Sequence, residues 1–134
     1  MSKGNKSSGT SATNLFLGVA SITAGAYHGY MDSQGIPIER ENLEFALTYG
    51  PALVRGGLGG LTGGLVGGGV GTVLGLESSS RFDDGLEKVA KGIGGATLGS
   101  IGGAALGGTL GAITGGIQTL VGYGIGYMAG YILK

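Results

Sequence analysis

The sequence contains no cysteine and no tryptophan, only two prolines, and few charged residues. Without cysteine, the chain has no disulfide framework, no thiol chemistry and no cysteine-ligated metal site. Charged residues make up 12% of the chain, about half the share of an average soluble domain. Eight lysines and arginines balance eight aspartates and glutamates. This zero net charge supplies no basic surface for nucleic acid, so we expect no nucleic-acid partner.

Glycine is abundant, with 34 of 134 residues, and many of the glycines recur at every fourth position. In a water-exposed helix each glycine costs roughly 1 kcal/mol relative to alanine, so such rows are not typical of soluble helices. In a bilayer, glycine at every fourth position leaves one helix face without side chains, so the backbone of a second helix can approach closely. We predict a helix-packing interface at Gly59, Gly63, Gly67, Gly71, Gly75, Gly95, Gly99, Gly103, Gly107, Gly111, Gly115, Gly122, Gly126 and Gly130.

The rows at 56–75 and 92–115 resemble those of glycine-zipper membrane proteins. That loose group spans channels, translocase subunits, small pore-forming toxins and envelope components. The resemblance implies closely packed helices in a membrane. The resemblance assigns a function to no residue of this chain, because members of the group share the glycine spacing but not a common functional site.

The uncharged runs predict an all-α transmembrane bundle of about four glycine-zipper helices plus one short interfacial helix. Residues 56–76 are uncharged over 21 positions, enough for one span. Residues 92–133 are uncharged over 42 positions. We predict two spans there, 92–113 and 116–133, joined by a tight turn near residues 115–119. The alternative is one helix of about 60 Å, twice the bilayer core, that projects from the membrane.

The N-terminal part predicts a disordered polar tail at residues 1–14, followed by a single membrane domain at 15–134. Residues 15–31 carry no acidic or basic residue except His28, so we predict the first span there. This span has small residues at four-residue spacing: Ser21, Gly25 and Gly29.

A second interpretation of the N-terminus is a cleaved signal peptide. Lys3 and Lys6 precede a short apolar stretch at 15–22, and Ala24-Gly25-Ala26 matches a small-residue cleavage site. Residues 1–26 would then be removed.

Residues 37–55 contain a cluster of charged residues and predict an amphipathic interfacial segment. Pro37 suits the first position of a helix. We predict a break at residues 49–51, before the second span, because Pro51 disfavours helix in the residue preceding it. Residues 77–91 predict a polar loop and then a helix start capped by Asp83 or Asp84.

The positive charges favour an even number of spans. With four spans, six cationic residues lie on one side and two, Arg40 and Arg55, on the other. The positive-inside rule then places both termini in the cytoplasm. The six are Lys3, Lys6, Arg81, Lys88, Lys91 and Lys134.

The four-residue repeat also bears on association. Four residues advance 400° around a helix, so a glycine row drifts about 40° per step and favours right-handed wrapping. Such rows need neighbours along most of their length. We therefore expect a homo-oligomer, or a subunit of a larger membrane complex, surrounded by membrane lipid. Packing within a monomer is the alternative.

No set of residues in the sequence predicts an enzyme, a cofactor site or a metal site. His28 is the only histidine, and a metal site needs several ligands. The carboxylates all lie in the polar loops, whereas a proton or ion path calls for ionisable residues inside a span. The stretch Val121-Gly122-Tyr123-Gly124 matches the potassium-channel filter, but one residue is inserted after the preceding threonine. We expect a non-enzymatic structural or assembly subunit, with an oligomeric pore or membrane-permeabilising protein as the alternative.

Overall fold

A computed structural model describes residues 8–38, 41–79 and 84–133 of the chain. These residues form helices and no strand, so the all-α prediction is confirmed. Two of the helices, α2 and α3, are long and apolar enough to cross a membrane. The helices are α1 (Ser8–Ser33), α2 (Glu41–Glu77) and α3 (Gly85–Ile132).

The first helix begins earlier than the sequence indicated. It starts at Ser8, within the predicted polar tail, while residues 1–7 lie outside the described part. Serine suits a helix start, and the small side chains that follow carry only a modest helix penalty. The first predicted span, 15–31, lies inside α1, but α1 is not among the helices able to cross a membrane by length and composition.

The first helix ends in a glycine cap. Gly35 has a positive φ of 66°. Its amide donates to the Asp32 carbonyl at 3.0 Å, and the Ile36 amide donates to the Met31 carbonyl at 3.0 Å. This is the Schellman arrangement, in which a left-handed glycine lets the chain satisfy the last carbonyls of a helix. Pro37 therefore follows a helix end and does not begin a helix.

The second helix differs from the prediction for residues 37–55 both at its start and at the expected break. It begins at Glu41 and not at Pro37, and it runs without interruption through residues 49–51. Pro51 removes one backbone hydrogen bond but lies with its carbonyl against Gly115. Proline inside a helix removes one hydrogen bond and can bend the helix without ending it, and α2 continues where the sequence predicted a break.

The third helix overturns the predicted turn near residues 115–119. α3 is one continuous helix of 48 residues, which corresponds to the alternative of a single long helix. Gly115 and Thr119 are buried against neighbouring helices, and the Thr119 hydroxyl donates to the Gly115 carbonyl at 2.9 Å. The small residues at 115–119 provide close packing here and not a turn. The described residues thus form three helices, and a four-helix bundle is not observed.

The contacts divide the chain into two units. Unit 1 comprises Met1–Val54 and Thr114–Lys134, and unit 2 comprises Arg55–Ile113. In unit 1, α1 runs parallel to residues 114–132 of α3, since Gly25 lies against Thr119 and Gly29 against Tyr123. In unit 2, α2 and α3 pack antiparallel.

Large apolar side chains lie on the outside of the described structure. None of them is buried among the described residues, whereas Ser21 and Thr119 are buried. Leu65 is 79% exposed and Leu98 is 75% exposed. The helix contacts are made by glycine and other small residues, the reverse of the distribution in a soluble domain.

Candidate functional site

In unit 2, the two glycine rows face each other across the contact between α2 and α3. A Cβ atom placed on Gly63 would overlap the carbonyl oxygen of Gly103, and one placed on Gly103 would overlap that of Gly63. This reciprocal contact recurs every four residues, in opposite directions along the two helices. The facing pairs are Gly59 with Gly107, Gly63 with Gly103, Gly67 with Gly99, and Gly71 with Gly95.

The backbone of each helix therefore forms the surface that the other helix contacts. At these pairs no side chain fits, because the space of a Cβ atom is already filled by backbone. Both helices keep the four-residue step through the contact, a spacing that favours right-handed wrapping. The rows that were expected to need neighbours have them within one chain.

A second row, Gly56, Gly60, Gly64 and Gly68, lies beside these backbone pairs. Its contacts are looser at Gly60 and Gly64, whereas a Cβ atom on Gly68 would overlap the Ser100 hydroxyl. A Cβ atom on Gly64 would lie 3.4 Å from the Ala104 Cβ atom, which is ordinary van der Waals contact. Gly60, Gly64 and Gly68 border a shallow groove whose other wall is formed by residues of α3. The small residues of that wall are Ala96, Ser100 and Ala104.

Other glycines of unit 2 face open space. A Cβ atom on Gly69 or Gly102 would meet no heavy atom within 4 Å, apart from its own helix and neighbours. These positions provide matched controls, because each lies close in sequence to a glycine of the contact.

Alanine substitutions at neighbouring glycines should therefore have opposite effects. Gly67→Ala places a methyl group against the Gly99 carbonyl and should lower stability. Gly69→Ala fills open space and should raise stability by roughly 0.5–1 kcal/mol through helix propensity. Unfolding midpoints in mild detergent measure both variants. Equal effects at the two positions would contradict the arrangement.

In unit 1, the third predicted row faces α1. A Cβ atom on Gly122 would overlap the Ile22 carbonyl, and one on Gly126 would overlap the Ala26 carbonyl. Gly130 lies against the Ser33 hydroxyl. In the reverse direction, Gly25 and Gly29 lie against the carbonyls of Thr119 and Tyr123.

Gly25 and Gly29 were not among the predicted interface residues. Their four-residue spacing was visible in the sequence, but only the partner helix shows that both are packing positions. The remaining predicted residues also lie at backbone contacts within one unit. Gly75 faces the Lys91 carbonyl, Gly111 the Arg55 carbonyl, and Gly115 the Pro51 carbonyl.

A small polar cluster joins the three helices of unit 1. The Tyr123 hydroxyl on α3 donates to the Asp32 carboxylate on α1. The His28 ring meets the Tyr123 ring edge-on at 5.4 Å between centroids, and its Nδ1 atom lies 3.2 Å from the Thr48 hydroxyl on α2. No group of three or more histidine, cysteine or carboxylate residues among the described ones could hold a metal ion. The geometry of the cluster fits a structural role, since each of these contacts ties one helix to another.

Removing one hydroxyl should weaken this cluster. Tyr123→Phe deletes the hydrogen bond to Asp32 while keeping the ring that contacts His28. Because the bond is exposed, we expect a loss of about 1 kcal/mol in unfolding free energy, below the roughly 1.5–3 kcal/mol of a hydrogen bond to a charged group. Denaturant unfolding in detergent checks this. Tyr131→Phe, at a side chain that is 73% exposed, is the control and should change little.

The channel-filter motif does not take a filter conformation. Residues 121–124 lie within α3, so their carbonyl oxygens belong to the helix ladder and do not form a ring of ion ligands. Comparison with known protein families, curated proteins and solved structures finds no match to this chain. The geometry of the glycine contacts is therefore the basis for inferring function.

Proposed function

We propose that this chain is an integral membrane protein with a non-enzymatic structural or assembly role, built on a hairpin of α2 and α3. The observation that carries the proposal is the inverted distribution of side chains. Glycine backbones form the helix contact in unit 2, while Leu65, Leu98 and similar residues point outward. In water, this arrangement would expose large apolar side chains and bury almost none. In lipid, those apolar side chains contact acyl chains that are equally apolar. The close packing of the two backbones then supplies the energy of helix association.

The proposal uses two spans. α2 and α3 are the helices able to cross a membrane, and the continuity of α3 favours one span over the predicted two in that region. Two spans still place both termini on one side of the membrane. Five cationic residues then lie on the side of the termini, and three, Arg81, Lys88 and Lys91, lie on the side of the connecting loop. This bias favours cytoplasmic termini.

Assembly with further copies, or with other membrane proteins, is part of the proposal. The glycine rows of unit 2 are already occupied within one chain. Association would therefore use the outer faces, and a rigid preformed hairpin is well suited to that use because little conformational freedom is lost on docking.

Two measurements test this function. The mass of the intact assembly, taken from native membranes or mild detergent, should exceed that of one chain. Purified protein in liposomes should give no reproducible conductance at any voltage. A monomeric mass would contradict the assembly role, and reproducible single-channel currents would replace it with the pore alternative.

A further inference from the structure

The close contact in unit 2 ends near a cationic residue at each end. At one end Arg55 lies against Gly111, and at the other end Lys91 lies against Gly75. Arg55 and Gly75 are twenty residues apart on α2, which is about 30 Å along a helix. The hydrocarbon core of a typical bilayer has about the same thickness.

The threonine hydroxyls between these ends are satisfied within their own helices. Residues 56–76 and 92–113 contain no charged, aromatic or amide side chain. Their threonine hydroxyls donate to carbonyl oxygens four residues earlier, an arrangement that needs no water. The bonds run from Thr62 to Leu58 at 2.9 Å, Thr72 to Gly68 at 2.8 Å, Thr97 to Ile93 at 2.9 Å, and Thr109 to Ala105 at 2.9 Å.

The outer surface of the same segment is apolar on both helices. Leu65 and Val66 on α2 are 79% and 67% exposed, and Leu98 and Ile101 on α3 are 75% and 64% exposed. Leu65, Val66 and Ile101 lie near the middle of the segment, while Leu98 lies seven residues from Lys91 and thirteen from Gly111, the residue that faces Arg55.

We propose that the two facing segments of unit 2, residues 56–76 of α2 and 92–113 of α3, are the part of the chain matched to the hydrocarbon core of a lipid bilayer. Their outer leucine, valine and isoleucine side chains contact acyl chains. Arg55 and Lys91 mark opposite headgroup layers, the depth at which cationic residues are favoured over the hydrocarbon core. This inference rests on the proposed membrane location and adds which residues span and where the two interfaces lie.

Because the native chain lacks cysteine, single-cysteine variants give clean probes. Nitroxide labels at Leu65→Cys and Leu98→Cys, in full-length protein in phosphatidylcholine vesicles, report depth by collision with oxygen and with a water-soluble nickel complex. Thiols at Leu53→Cys and Val89→Cys, near the two cationic ends, report sidedness by reaction with a membrane-impermeant reagent. All four native side chains are more than half exposed, so labels should be accommodated.

We expect the label at Leu65 to lie deepest and the label at Leu98 to lie within the core but nearer the Lys91 end, with oxygen collisions at least several-fold favoured over nickel at both sites. Thiols at Leu53 and Val89 should be modified from opposite sides of sealed vesicles. Reaction of both thiols from one side, or labels at Leu53 and Val89 as deep as Leu65, would overturn the span assignment while leaving a membrane location intact. Preferential nickel collision at every site would overturn both the span and the membrane proposal.

Discussion

The Gly103→Leu variant is expected to separate α2 from α3 and to destabilise the protein. A Cβ atom at Gly103 would overlap the backbone carbonyl of Gly63, so the leucine can be accommodated only if the helices move apart. Overpacking of this kind typically costs about 1–3 kcal/mol, and rigid backbone leaves little room for a smaller effect. Thermal unfolding in mild detergent measures the loss. Spin labels at Leu61 and Leu106, one on each helix, should report a longer distance.

The adjacent residue provides the control. Gly102→Leu adds the same side chain to the same helix, at a position where a Cβ atom meets no heavy atom within 4 Å. Leucine is also the better residue in a lipid-facing helix. This variant should be as stable as the native protein or more stable. Equal destabilisation by Gly102→Leu and Gly103→Leu would show that the glycine row is not the packing surface.

The Leu98→Lys variant should prevent stable membrane insertion or strongly reduce it. Leu98 is 75% exposed on the outer face of α3. In a water-soluble protein, a change from an exposed leucine to lysine usually alters stability by less than about 0.5 kcal/mol. At the centre of a membrane span, lysine costs about 2.5–3.5 kcal/mol in insertion free energy, whereas leucine is favourable by about 0.3–0.6 kcal/mol. Much of this difference should remain at Leu98, which lies seven residues inside the Lys91 end. The two environments therefore predict very different outcomes for one substitution.

A second lysine variant separates this effect from a general effect of charge. Leu86 is 83% exposed near the start of α3, before Lys88 and Lys91. Leu86→Lys should leave insertion unchanged because that position lies outside the proposed span. Membrane-bound fractions of the two variants, measured after expression at matched levels, give the comparison. Equal insertion of both would argue against lipid contact at Leu98.

The helical class follows from local sequence. Uncharged runs with four-residue glycine spacing predict helices, and the structure places Gly63 and Gly103 at a helix contact. The partner of each row could not be predicted. If one helix is shifted by four residues along the other, the glycines of the two rows still face each other. The sequence therefore does not determine the register between the rows. The same chemistry also serves contacts within a chain and between chains.

Glycine also has two uses that sequence alone does not distinguish. The pair Gly115-Gly116 was predicted to form a turn, but Gly115 provides close approach to Pro51 within a continuous helix. Gly35 does end a helix, through its positive φ. The difference depends on whether another backbone lies alongside, which is a property of the tertiary fold. The bond between Tyr123 and Asp32 was invisible for the same reason, as its partners are 91 residues apart.

Alkaline carbonate extraction of membranes from cells that express the chain tests the membrane location most directly. High pH opens vesicles and releases peripheral proteins, while proteins that span the bilayer stay with the lipid. Because the structure exposes residues such as Leu65 and Leu98 and packs its helices through glycine, we expect the chain to remain in the pellet. Recovery of the folded chain in the supernatant would contradict the account.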